Sequence, residues 1–387
     1  MTSKPRIFFL NLDYYLSREI PLALQELGLT FLNFRPNDLG IPVKEFLQRT
    51  AEAISRFRPD FVLTVNAMGL DETGYMAQFF DTRKIPLLIW FVDSPDLFLF
   101  GRKHIYPQNS LFFSCDPDGR EKAAGTIAKD MHYLPLAADK TRMKKPGDTP
   151  RIPVSFLGDT WSAKIAACLK NHDLPAYFLR ESGRVARAMA DNQPGNGLEF
   201  IRNRFPRLYS RMSSELDPGN QNGLLHLIYW RANKLYRKMC VKQLLEFKPL
   251  IAGDKYWEKI LDPARFDYHP PIAYGKEAFK LYSMSRINFA CSSVQMSGAV
   301  TQRVFDVPAA GGFLITDKRK QLQEMFEAGK EAVCYEDPRE VPEMVRHYLA
   351  NERERMRIIK AARRRMGAEH TYAHRLRKLL SIAEVGF

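Results

Sequence analysis

The sequence predicts an α/β protein made of two doubly wound parallel-sheet domains. Three observations predict it. Short, continuously apolar runs recur along the chain, separated by segments of helical periodicity, and such runs belong to strands covered on both faces. The pattern stops at a stretch rich in Lys, Pro, Gly and Thr and then begins again. The chain's 387 residues also exceed what one core usually encloses.

In the first part, Arg6 to Asn11 reads as a buried strand, and Ser17 to Leu27 as a helix closed by Gly28. Thr30 to Phe34 is a second strand and Val43 to Phe57 an amphipathic helix. Phe61 to Val65, Pro86 to Val92, Leu111 to Cys115 and Met131 to Leu134 follow as strands. A first Rossmann-like domain is expected over residues 1–145. Lys140 to Pro153 has linker composition. Val154 to Gly158 restarts the pattern, and strands return at Pro249–Ala252, Ile287–Cys291, Gly312–Thr316 and Ala332–Tyr335. A second domain is expected over 150–370, with a helical insert over 178–247 and a terminal helix over 371–387 near the domain junction. Open sheets bind ligands beyond the carboxyl ends of their strands, so a cleft facing both sheets is the expected site.

Composition narrows the partners. Lys and Arg number 58 against 44 Asp and Glu, a net charge of +14. That balance favours nucleotide phosphates, nucleic acid or an anionic membrane surface. No helix-turn-helix, zinc-finger or RNA-binding signature is evident, so nucleic acid is not expected. The five cysteines are scattered singly, which suggests neither a zinc site nor a disulfide framework. No run approaches the roughly 18 apolar residues of a spanning helix, and no leader-like apolar region opens the chain. A reduced, cytoplasmic protein is expected.

Thr301 to Asp317 carries the most chemistry. A helix meets Gly311-Gly312 and then a buried strand ending in Thr-Asp. Ala309, Ala310, Gly311 and Gly312 allow close backbone approach. A helix start aimed at the site offers free N–H groups to phosphate. Arg303 suits a charge-assisted bond to phosphate, and Asp306 suits ribose hydroxyls. A plain helix-to-strand turn with a surface Arg explains the same residues.

Arg303 to Asp317, Leu322 to Glu331 and Ala368 to Arg375 resemble the CgeB-like (spore-maturation-type) GT-B glycosyltransferases. So do Leu281–Asn288, Trp90–Pro95 and Leu134–Asp139. The resemblance is densest from Tyr274 to Arg375 and thinnest in the helical insert. It implies a GT-B fold, a UDP- or GDP-type nucleotide-sugar donor held by the second domain, and a protein or surface-glycan acceptor held by the first. It implies no tightly bound cofactor and no essential metal. One departure stands out. Many retaining GT-B enzymes carry two Glu separated by seven residues here; Asp306 stands at the second and Gly298 at the first. That leaves the retaining or inverting outcome open, and leaves room for a non-catalytic module that binds a nucleotide or glycan. A GT-B-shaped epimerase uses a cleft of the same kind, but no residue set specific to epimerisation is evident.

Asp93 is the catalytic candidate. It closes the fourth strand in Asp93-Ser-Pro-Asp96, where a carboxylate suits deprotonation of an acceptor hydroxyl or support of an oxocarbenium-like centre. Loop and capping chemistry explains the same residues. Gly158 and Lys164 follow the first strand of the second domain, where a GT-B loop faces the donor phosphates. A surface Lys on an ordinary helix is the plainer reading. Tyr274 to Tyr282 suit a nucleobase pocket, or core packing. His370 and His374 share a helix face, but no third metal ligand is evident. Leu224 to Met239 mixes apolar and basic residues. It suits a core helix, or peripheral contact with the inner membrane face that reaches a lipid-linked acceptor. The Arg-rich run from Arg353 to Arg365 is interleaved with Glu and Ile and reads as a solvated helix face.

Overall fold

The computed structural model describes residues 4–35, 41–71, 73–100, 105–123, 130–143, 150–296 and 298–386. Two compact units emerge: Met1–Leu136 with Tyr372–Phe387, and Ala137–Thr371. Residues 144–149 of the expected linker lie outside the described residues.

The first unit contains β1 (Arg6–Leu10), β2 (Thr30–Phe34), β3 (Phe61–Val65), β4 (Leu87–Phe91), β5 (Ser110–Ser114) and β6 (Met131–Tyr133). They form one parallel sheet in the order β2-β1-β3-β4-β5-β6. Every residue of β3 and β4 is buried, as continuous apolar runs require of central strands. The helix Val43–Phe57 buries Leu47, Thr50, Ala51 and Ile54, a stripe at spacings of three and four that faces the core.

The terminal helix Tyr372–Gly386 also belongs to this unit. Leu376, Leu379, Leu380 and Ala383 are buried, and the helix packs on Glu19–Glu26. The Tyr372 ring lies edge-on 6.3 Å from that of Trp90. Arg375 Nε donates to the carbonyls of Pro135 (2.9 Å) and Leu136 (3.2 Å).

The second unit contains β7 (Ile152–Leu157), β8 (Leu250–Ala252), β9 (Asp267–His269), β10 (Ser285–Phe289), β11 (Leu314–Asp317) and β12 (Val333–Tyr335). They too form a parallel sheet, in the order β12-β11-β10-β7-β8-β9. Between the helix Ser162–Asn171 and β8 stand four helices: Ala176–Asn192, Gly197–Arg204, Pro206–Glu215 and Pro218–Lys242. The last packs on Ala176–Asn192 and on Ser162–Asn171. It buries Leu224, Leu225, Leu227, Ile228, Tyr229, Ala232 and Tyr236. This burial supports the core reading of Leu224–Met239. The apolar residues that would enter a bilayer fill the unit's own core, and only Leu235 and Met239 among its large apolar residues are exposed. Among the described residues no helix is long and apolar enough to cross a membrane.

Candidate functional site

β7 ends at Leu157, and the chain turns through Gly158–Trp161 into the helix Ser162–Asn171. That turn is pinned on several sides. Gly158 donates its N–H to Ala252 O (2.8 Å), and its carbonyl accepts from Trp257 Nε1 (2.8 Å). Thr160 donates its N–H to Asp254 Oδ2 (2.6 Å), and Asp254 donates its own N–H to Asp159 Oδ1 (2.9 Å). A Cβ on Gly253 would lie 2.3 Å from Gly158 O, so the loops after β7 and β8 touch backbone to backbone. Trp161 takes a left-handed conformation, φ +67°.

A cavity of about 340 Å³ opens beside this turn. Four residues singled out in the sequence line it: Gly158, Lys164, Tyr274 and Arg303. Asp159, Trp161, Arg237, Asp254 and Tyr282 join them. Lys164 Nζ stands 4.5 Å from the Trp161 ring centroid and 5.5 Å from that of Trp230, within cation–π reach. Arg237 is 9% exposed and donates to Asp159 O (2.7 Å). Its guanidinium lies 5.4 Å from the Trp161 ring. Burial lowers the Arg237 pKa, but a guanidinium stays charged. Arg303 Nε is buried without a hydrogen-bond partner. Burial pushes the Tyr282 phenol up, and the Arg303 guanidinium draws it back. Tyr274 is 49% exposed, and the Arg142 guanidinium lies 5.1 Å from its ring.

The two carboxylates of the cavity hold backbone N–H groups, Asp254 those of Thr160 and Tyr256 and Asp159 that of Asp254. Three cations, Lys164, Arg237 and Arg303, therefore share a small volume with three aromatic rings. Such an arrangement suits an anionic ligand with a flat or apolar portion.

Gly311 and Gly312, expected to approach the donor, are not part of this lining. They follow the carboxyl end of the helix Arg303–Ala309, not its start. Gly311 donates its N–H to Pro308 O and Gly312 to Val307 O, both at 2.9 Å, so those donors are already used. A Cβ on Gly312 would lie 2.6 Å from Tyr282 O and 2.8 Å from Asn288 Nδ2; glycine here permits packing. Nor does Asp306 reach the cavity. It is 1% exposed and accepts from Gln302 Nε2 (2.9 Å), which also donates to Ala137 O (2.9 Å). Gly298, where the two-Glu pattern would place its first carboxylate, accepts from Gln321 N through its carbonyl (3.1 Å).

Asp93 lies in the first unit, two residues beyond β4. It is half-buried. Tyr14 Oη donates to its Oδ2 at 2.8 Å, and Asn66 Nδ2 to the same oxygen at 3.1 Å. Asn66 Oδ1 in turn accepts from Val92 N (2.9 Å). Burial, then the Asp93 anion, pushes the Tyr14 phenol well up, so Tyr14 stays a neutral donor. Asp13, Leu16, Asn66 and Ala67 all have positive φ, between 52° and 63°. Such conformations in non-glycine residues gather where a loop is held for a purpose. Asp96 differs: it is fully buried and accepts from Ser94 Oγ (2.5 Å).

Among the described residues no group of three His, Cys, Asp or Glu is placed to hold a metal. His370 Nε2 donates to Met325 O (3.1 Å), and the ring packs on Phe326 at 5.3 Å. That bond puts the proton on Nε2 and makes His370 a docking residue of the second unit.

Arg237 was not singled out from the sequence. A spacing signal was present: Tyr229, Ala232, Asn233, Tyr236, Arg237 and Cys240 recur at three and four residues, and all are buried.

Residues 231–381 match the model of a family described as glycosyl transferase-like. No curated protein sequence matches the chain. Among solved structures, a glycosyltransferase from Rickettsia africae ESF-5 superposes with a TM-score of 0.54 at 9% identity, over 99% of each chain. HepE of Anabaena in complex with UDP-glucose gives 0.54 at 10% identity, over 98% of this chain and 100% of HepE. Sucrose-phosphate synthase from Thermosynechococcus elongatus gives 0.54 at 11% identity, over 99% of each. The two six-stranded parallel sheets therefore have the GT-B fold, and the glycosyl transferase-like match covers the end of the insert, β8 to β12 and most of the terminal helix.

Proposed function

We propose that this protein is a GT-B glycosyltransferase of CgeB-like type that moves a sugar from a nucleotide-sugar donor to a hydroxyl of a protein or surface glycan. The carrying observation is the convergence of Lys164, Arg237 and Arg303 on one cavity beside the turn after β7. The donor's diphosphate sits against these cations, and Tyr274 flanks the base. In the transfer step the acceptor oxygen bonds to the anomeric carbon, the bond from that carbon to the phosphate oxygen breaks, and Asp93 takes the acceptor proton. The nucleoside diphosphate leaves with its new charge met by the three cations, without a metal. A uridine donor is the first choice, supported by the UDP-glucose held by HepE.

Thermal unfolding with UDP, GDP, CDP, ADP and dTDP tests the donor site. One diphosphate at about 100 times its dissociation constant adds roughly 2.7 kcal/mol and raises the midpoint selectively. A folded sample that answers to none of the five overturns the reading. Asp93→Ala should keep nucleotide affinity and lose turnover; wild-type turnover removes Asp93 from the step.

One observation favours a second reading. Gly298 supplies no side chain where the retaining pattern has a carboxylate, which suits a module that binds a nucleotide without transferring sugar. Sugar transfer or donor hydrolysis at an ordinary enzymatic rate eliminates it.

A further inference from the structure

The helical insert carries a feature that sugar transfer does not use. Residues 176–215 contain seven Arg, four carboxylates and no Lys. Four of these, Arg184, Arg204, Arg207 and Arg211, line one groove of about 910 Å³ with Tyr177 and Phe205. Its one carboxylate, Glu181, is shared between Arg180 (3.8 Å) and Arg184 (3.2 Å). Arg204 and Arg207 have no carboxylate partner among the described residues. Arg211 is paired with Glu215 (2.5 Å), which leaves Arg204 and Arg207 as the unneutralised pair of the groove; neighbouring cations repel one another, so such a pair marks a place for an anion.

The residue type narrows that anion. A guanidinium presents a planar fork that fits phosphate oxygens in pairs, where an ammonium is only a point charge. Aromatic rings hold the forks in place: Arg211 lies 3.8 Å from the Tyr177 ring and Arg184 5.6 Å from that of Phe205. These rings are already occupied by guanidinium groups, so they make a poor platform for stacking nucleobases. None of the chain's exposed large apolar residues falls within 176–215, so the groove offers nothing to insert into a bilayer.

We propose that this groove is a second anion site, which binds a soluble ligand bearing two or more phosphoryl groups. The site is separate from the donor cavity and stands whether or not the chain transfers sugar. Isothermal titration of the full chain with sodium tripolyphosphate tests it, using wild type, Arg204→Glu/Arg207→Glu and Arg303→Ala. Both groove residues are exposed, so the double variant should keep the wild-type circular dichroism spectrum and unfolding midpoint. The expected result is a tenfold or greater loss of groove affinity in the double variant, with the groove isotherm kept in Arg303→Ala, which loses donor-cavity binding alone. Three titration results overturn the proposal: no binding by wild type, equal binding by the double variant, or a loss seen only in Arg303→Ala. In parallel arms, phosphatidylglycerol vesicles or single-stranded DNA that bind more tightly than tripolyphosphate, and are lost in the double variant, reassign the groove to a membrane or a nucleic acid.

Discussion

The phenol of Tyr14 donates to Asp93 across 79 residues of sequence, at 2.8 Å. A neutral donor on one oxygen of a half-buried carboxylate steadies its anion and fixes its rotamer. Tyr14→Phe removes a bond worth about 1.5 kcal/mol to a charged group. Turnover should fall by about tenfold while nucleotide affinity stays unchanged. Steady-state kinetics beside a nucleotide titration check both.

Arg303 offers a trade between stability and binding. Its buried Nε lacks a partner in the free protein, and an unsatisfied buried donor costs about 1–3 kcal/mol. Arg303→Met should raise the stability of the ligand-free chain by about 1 kcal/mol and abolish the nucleotide-induced rise in Tm. Urea denaturation with and without nucleotide measures both.

Gly253 permits the backbone contact that shapes the turn after β7. Gly253→Ala would press a methyl group against Gly158 O, and neither backbone has room to yield. A loss of about 1–3 kcal/mol is expected. Nucleotide binding should weaken with it, since Lys164 and Trp161 follow that turn.

Gly312→Ala separates packing from phosphate contact. The added methyl group meets Tyr282 O and Asn288 Nδ2, so stability should again fall by about 1–3 kcal/mol. Nucleotide affinity of the folded fraction should stay at the wild-type value. A selective loss of affinity would return Gly312 to the donor site.

Asp337 gives a pH signature. The Arg339 side chain, then its N–H, lowers the Asp337 carboxyl from 3.8 to about 2. A depressed carboxyl stabilises the fold above its unfolded pKa and loses that contribution as pH falls through the folded value. Wild type and Asp337→Asn should therefore differ by a constant amount above pH about 4 and converge toward pH 2. Unfolding midpoints across that range check the sign.

Much of the architecture was legible because the central strands are unbroken apolar runs. Phe61–Val65 and Leu87–Phe91 have both faces covered, and only such sequences tolerate that position. β9, Asp267–His269, gave no such signal: it lies at the sheet edge, and Asp267 and His269 are exposed. For Gly311-Gly312, the sequence cannot tell close approach to a phosphate from close approach to Tyr282 O. The used N–H groups decide that. Arg237 was hidden for another reason. Its charge suggested solvent, but rings of Phe156 and Trp161 and the Asp159 carbonyl make a buried place for it.

The return of Tyr372–Gly386 to the first unit has a consequence for the order of synthesis. The amino-terminal unit is encoded in two pieces separated by the whole of Ala137–Thr371. Until Tyr372–Gly386 leaves the ribosome, the helix Glu19–Glu26 and Trp90 lack part of their cover. Of the two units, the one begun first is thus completed last, after Ala137–Thr371 has all its residues. A nonsense codon near residue 371 would spare every strand and every cavity residue, yet release a protein whose amino-terminal half is unfinished.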